Sequence, residues 1–163
     1  MIERGDIVII SVFVAIIVTV LVYLVIRRMI SKRAILIITN DAQKTTDEAM
    51  NEVLPDLFQH DDIETPHKPV RSETVVDMWG VGVMAFEYSF VVKSNKINMD
   101  KIRWQLNSQL NKYAEENEIQ SFENVPRIFI VTDLWIYLDE LHIDVAYVVN
   151  ESTAEYVKDL AKL

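Results

Sequence analysis

The stretch IVIISVFVAIIVTVLVYLVI, residues 7–26, holds twenty positions without a charge, and Arg27, Arg28, Lys32 and Arg33 follow at once. A helix rises about 1.5 Å per residue, so such a run reaches roughly 30 Å, the thickness of a bilayer's hydrocarbon core. Sixteen of the twenty are Ile, Val, Leu or Phe; the exceptions are Ser11, Ala15, Thr19 and Tyr23. At about −0.3 to −0.6 kcal/mol per apolar residue near the helix centre, insertion is favoured by roughly 5 to 10 kcal/mol. The run predicts a single-pass anchor over residues 7–33, basic flank included, behind a short polar tail of residues 1–6. Membrane lipid is the first expected partner.

Charge gives the anchor a direction. Arg4 stands before the span with Glu3 and Asp6 against it, whereas Arg27, Arg28, Lys32 and Arg33 stand after it. The positive-inside rule then puts the carboxyl side in the cytoplasm. The run is too long for a signal-peptide core, its charges lie on the opposite flank, and no A-x-A-like site comes after it. Within the span, Ser11, Ala15, Thr19 and Tyr23 recur every fourth residue. Small and polar side chains at that spacing predict a helix-packing face for self-association or for a partner's transmembrane helix. Chance register explains the same four residues.

Beyond residue 33 the chain turns acidic, with 11 Lys plus Arg against 23 Asp plus Glu, a net charge of −12. A domain so charged is repelled by phosphate backbones, so nucleic acid is not an expected partner. There is no Cys, which removes disulfides, thiolate chemistry and cysteine-based metal sites.

About 130 residues remain for one α+β domain with its own core. Residues 34–58 read as a connecting helix that ends near Asn40, then an amphipathic helix over 41–58. In that reading Asn40 and Gln43 form a capping pair, and Pro55 kinks the helix or ends it early. Residues 59–71, with Pro66 and Pro69, read as an exposed linker, and residues 72–163 as the α+β domain proper. Alternating Val76, Met78, Met84, Phe86, Tyr88, Phe90 and Val92 predict strand, with Gly80 and Gly82 as a bulge or a hairpin turn. Asn98 caps a helix to about residue 118 with the stripe Met99, Ile102, Leu106, Leu110 and Tyr113. Residues 128–138 and 141–149 predict a strand pair turning at Asp139 and Glu140, and Ser152 with Glu155 predicts the capping box of a last helix. The expected fold is an antiparallel sheet of about four strands with helices packed mainly on one face.

Chemistry has few footholds. His60, Asp61, Asp62, Glu64 and His67 are metal-ligand types, but a Pro-containing linker gives them no rigid scaffold, and a solvated acidic loop explains them. Glu140, His142 and Asp144 share one face if they lie on a strand, which makes them candidates for metal or acid–base work. The wet side of a half-buried strand explains them equally. No G-x-S-x-G elbow, P-loop or dinucleotide fingerprint occurs, and no cofactor is expected. Interaction has more support. Trp104 lies off the apolar stripe of its helix, surrounded by Arg103, Gln105, Asn107, Ser108 and Asn111, and an exposed Trp suits an interface. Trp79 and Trp135, with Val81, Val83 and Tyr137, belong to the second face of the sheet and predict an apolar patch there. The expected function is a non-catalytic accessory subunit of a membrane complex, with other protein subunits or its own copies as partners. An extracytoplasmic cell-envelope or secretion-apparatus component is the alternative, and an enzyme using Glu140, His142 and Asp144 the third.

Overall fold

The computed structural model describes residues 4–58, 63–64, 68–75, 82–93, 97–120, 122 and 125–162. In chain order the elements are α1 (Arg4–Phe58), β1 (Glu73–Thr74), β2 (Ala85–Val91), α2 (Met99–Glu116), β3 (Phe129–Tyr137), β4 (Glu140–Tyr147) and α3 (Glu151–Leu160). The fold is α+β, with a four-stranded antiparallel sheet in the order β1-β2-β4-β3 and three helices among the described residues. The chain divides into two units between Ile38 and Thr39.

In its described residues, from Arg4 on, the first unit is helix alone. Every large apolar side chain from Val12 to Ile30 is 49–63% exposed, and Leu36, Ile37 and Ile38 remain exposed beyond the basic residues. An isolated helix satisfies its own backbone but has nothing to bury these side chains against. Its most apolar 18-residue window has a mean hydropathy of 2.3, long and apolar enough to cross a membrane.

α1 does not stop near Asn40, so the predicted break and the Asn40–Gln43 capping pair are overturned. Neither Gly nor Pro occurs between Gly5 and Pro55, and nothing else forbids helical backbone. Thr45 and Thr46 donate their hydroxyls to the Asp41 and Ala42 carbonyls one turn back, at 3.1 and 2.8 Å, so local polar groups are met inside the helix. Pro55 sits in the last turn, and the helix runs on to Phe58.

In the second unit, one sheet face carries Phe86, Tyr88 and Phe90 from β2 and Leu141, Ile143 and Val145 from β4, which pack with Met50 and Leu54 of α1 and Leu106 and Leu110 of α2. α3 lies on the other face, where Tyr156 packs with Val83, Ala85 and Ala146. Helices therefore cover both faces, two on one side and a short one on the other. β1 and β2 pair antiparallel, so Gly82, at φ +96°, lies in a connection and not in a bulge of one long strand. The β3–β4 turn is Leu138–Asp139, one residue earlier than the predicted Asp139–Glu140, with both residues at positive φ (49° and 62°). Such a two-residue turn matches the right-handed twist of the flanking strands. The predicted Ser152–Glu155 capping box is also replaced. Asn150 is the N-cap, accepting from Thr153 N at 2.8 Å while donating to the Gly82 carbonyl at 2.9 Å. That second bond ties the start of α3 to the connection that leads into β2.

Candidate functional site

Two helices reach the flanks of the sheet with rows of polar side chains spaced one turn apart. On α1, Gln43 donates to the Ser72 carbonyl (2.7 Å), and Asp47 accepts from Ser72 N, Ser72 Oγ and the Tyr88 hydroxyl (3.1, 2.8 and 2.8 Å). Asn51 accepts from Val70 N and donates to the Val70 carbonyl, so it pairs with the backbone as a neighbouring strand would. Burial and the Asp47 charge push the Tyr88 phenol well above its usual range, so it stays a donor. On α2, Asn107 accepts from Val131 N (2.9 Å), Asn111 bonds Ile128 N and the Phe129 carbonyl, and Arg103 donates to the Val131 and Thr132 carbonyls. β3 is a sheet edge, and this row satisfies backbone groups that would otherwise template another strand. Arg103, Asn107 and Asn111 thus bond the backbone of β3 and also line the groove beside Trp104, where the sequence reading grouped them.

Trp104 is 72% exposed. It lines an open groove of about 660 Å³ with Asp100, Ser108, Lys112, Pro126 and Arg127. Trp79 lies outside the described residues, as do His60, Asp61, Asp62 and His67; Glu64 is described, and its amide donates to the Val91 carbonyl. Ile63 and Ser72, from the segment read as linker and its border, are buried. Thr19 donates its hydroxyl to the Ala15 carbonyl at 2.8 Å, within its own helix, and Ser11, Ala15 and Tyr23 stand on the exposed part of α1 with it.

The remaining candidates meet on the sheet face that α3 only partly covers. Cross-strand register sets them out in rows. Glu87 of β2, Asp144 of β4 and Asp133 of β3 form one row; Ser89, His142 and Trp135 the next; Val91, Glu140 and Tyr137 the last, with Leu138 at the tip. His142 Nδ1 lies 2.7 Å from Glu87 Oε1, and its ring stacks on Trp135 at 5.0 Å and 6°. A carboxylate on one ring nitrogen and an indole on the ring face hold the imidazole in one orientation. Asp144 is 7% exposed, and its Oδ1 has no hydrogen-bond partner among the described residues. Burial, then the Glu87 and Asp133 charges, push its carboxyl up to about 7, against a smaller opposing pull from His142. Among the described residues no three His, Asp or Glu side chains are grouped to hold a metal ion. Glu87 and Asp133 were not singled out from sequence. The alternation of β2 could have placed Glu87 on the polar face, but only the β2–β4 pairing brings it to His142.

Compared with known proteins, the chain matches no family model, no curated protein and no solved structure.

Proposed function

We propose that this protein is a single-pass membrane-anchored, non-catalytic interaction subunit of a membrane complex, with its acidic α+β domain on the cytoplasmic side. The observation that carries the reading is the exposure of every large apolar side chain from Val12 to Ile30 on a helix long enough to span a bilayer. Lipid removes that surface from water at no backbone cost. The Arg27, Arg28, Lys32 and Arg33 flank supports the cytoplasmic side. Exposed Trp104 and the half-open sheet face supply surfaces on which other subunits, or further copies, dock.

Alkaline carbonate extraction and a reporter fused after Leu163 test the anchor and its direction. The reading expects the chain to stay with the membrane pellet and the reporter to be active in the cytoplasm. Release into the supernatant defeats the anchor, and an externally active reporter transfers the domain to the extracytoplasmic alternative. A second reading, acid–base catalysis, is favoured by the Glu87–His142 pair beside a carboxyl that titrates near neutrality. Alanine at Glu140 and His142 that abolishes cellular function while folding and partner binding both persist establishes the enzyme; function retained, or lost together with partner binding, leaves the domain a binder.

A further inference from the structure

The sheet face beside α3 has the dimensions and chemistry of a helix seat. β2, β4 and β3 lie about 4.8 Å apart, so the face is roughly 10 Å wide, the diameter of a helix. From the Glu87 row to the Leu138 tip it runs about 17 Å at 3.4 Å per residue, the length of a helix of eleven or so residues. α3, ten residues long, already occupies the adjoining end through Tyr156 on Ala85 and Ala146, so this face accepts a helix of that size. The open part ends in apolar surface, with Val91 49%, Tyr137 63% and Leu138 78% exposed beside the Trp135 indole.

Charge decides what fits. Nearest α3 the seat carries Glu87, Asp133 and Asp144, and its far end carries Glu140; no Lys or Arg lies on β2, β3 or β4. Arg103 reaches Asp133 from α2 at 3.9 Å. Asp144, more than nine-tenths buried with an oxygen that bonds nothing among the described residues, adds a third carboxyl behind those of Glu87 and Asp133 and strengthens the acidic character of this end. An acidic helix is repelled here, and a purely apolar one desolvates Glu87 and Asp133 with only His142 and Arg103 to pair them among the described residues.

We propose that this face docks a basic amphipathic helix of a partner protein, its apolar side chains on Trp135, Tyr137, Val91 and Leu138 and its Lys or Arg side chains over Glu87 and Asp133. The proposal rests on the interaction-subunit reading and gives it a site and a partner chemistry. Cations over the row offset the mutual repulsion of its carboxylates, and the half-buried Trp135 and exposed Tyr137 rings supply the apolar contact area.

The full-length chain in phosphatidylcholine nanodiscs, titrated by calorimetry with a synthetic Leu/Lys amphipathic helix, is the test, with empty discs and a Leu/Glu helix of the same spacing as controls. The Leu/Lys helix binds and the Leu/Glu helix does not. Glu87→Gln with Asp133→Asn weakens binding about tenfold, equal to about 1.4 kcal/mol. Tyr137→Ser weakens it as well, and because that side chain is largely exposed, this variant keeps its fold. Glu52→Gln with Glu116→Gln removes the same charge from exposed helix positions on α1 and α2 and leaves binding unchanged. Equal weakening by that control pair, indifference to the Tyr137 and Glu87/Asp133 variants, or loss on Trp104→Ala overturns the proposal. So does a Leu138→Cys variant that cross-links to a second copy, since the face is then a self-contact. Carbonate extraction of the same variants separates the two readings, because peptide binding and membrane retention fail independently.

Discussion

Along β4, Leu141, Ile143 and Val145 are wholly buried, while His142 and Asp144 between them point the other way, to Glu87 and Trp135. The two faces of one sheet are thus built from alternate residues of the same strands for different tasks. Under α1 and α2 the side chains are aliphatic and aromatic, with the Tyr88 hydroxyl taken up by Asp47. On the α3 side Asp144 holds its proton to higher pH through burial and the neighbouring Glu87 and Asp133 charges, and aromatic and aliphatic surface is left open. The first face holds the domain together. The second gathers polar and ionisable groups, with Glu87 on His142 and Asp133 near Arg103, beside apolar surface that no helix covers among the described residues.

Substitutions at neighbouring positions test that division. Ile143→Ala opens a cavity in the closed face and costs about 3 kcal/mol in urea unfolding, whereas His142→Ala on the open face costs about 1 kcal/mol or less. Equal losses would erase the distinction between the faces. The next effect is a pH dependence. The native state holds the Asp144 proton up to about pH 7, whereas an unfolded chain releases it near pH 4. This group's contribution is therefore complete below about pH 4 and is lost as pH rises through 7. Asp144→Asn consequently raises the melting temperature at pH 8, leaves it nearly unchanged at pH 4, and flattens the profile between. A steeper profile in the variant would contradict the assignment.

Smaller effects sharpen the contrast. Leu138 sits at φ 49° in a turn that prefers Asn or Gly. Leu138→Asn stabilises by about 0.5 kcal/mol, since Asn tolerates the left-handed region better. The same change weakens binding of the basic helix, because it removes an apolar contact from the seat. Smallest is Trp104→Ala, which shifts stability by less than about 0.5 kcal/mol, as expected of an exposed side chain. A large drop in melting temperature would make Trp104 part of the core.

Much of the domain was legible wherever local signals agreed. Asn98 accepts from Lys101 N at 3.0 Å and opens a helix that buries Ile102, Leu106 and Leu110 of the predicted stripe and Ala114 besides, while Met99 and Tyr113 are only partly buried. The strand pair near the carboxyl end was legible from its β-branched runs. Its turn was not, because Leu138 is an unfavourable turn residue, and only the pairing of Tyr137 with Glu140 sets it. The irregularity between Val131 and Asp133 was hidden for a similar reason. It changes which residues face inward, so that Val131 and Leu134, three apart, are both in the core. Of the candidate site, Glu140, His142 and Asp144 were visible as one strand face, but Glu87 and Asp133 come from other strands, and no spacing in a single sequence records cross-strand register.

By itself the sequence determined the apolar helix with its basic flank, the acidity of the chain beyond residue 33 and the α+β element order. Each of these depends on composition or on periodicity within one segment, where the local physics is complete. Only the tertiary structure decided that α1 runs unbroken to Phe58, that Arg103, Asn107 and Asn111 serve the edge of β3, and that Glu87, His142, Asp144 and Trp135 share one surface. Those outcomes depend on which backbone groups and strands become neighbours, and packing of the whole domain selects them.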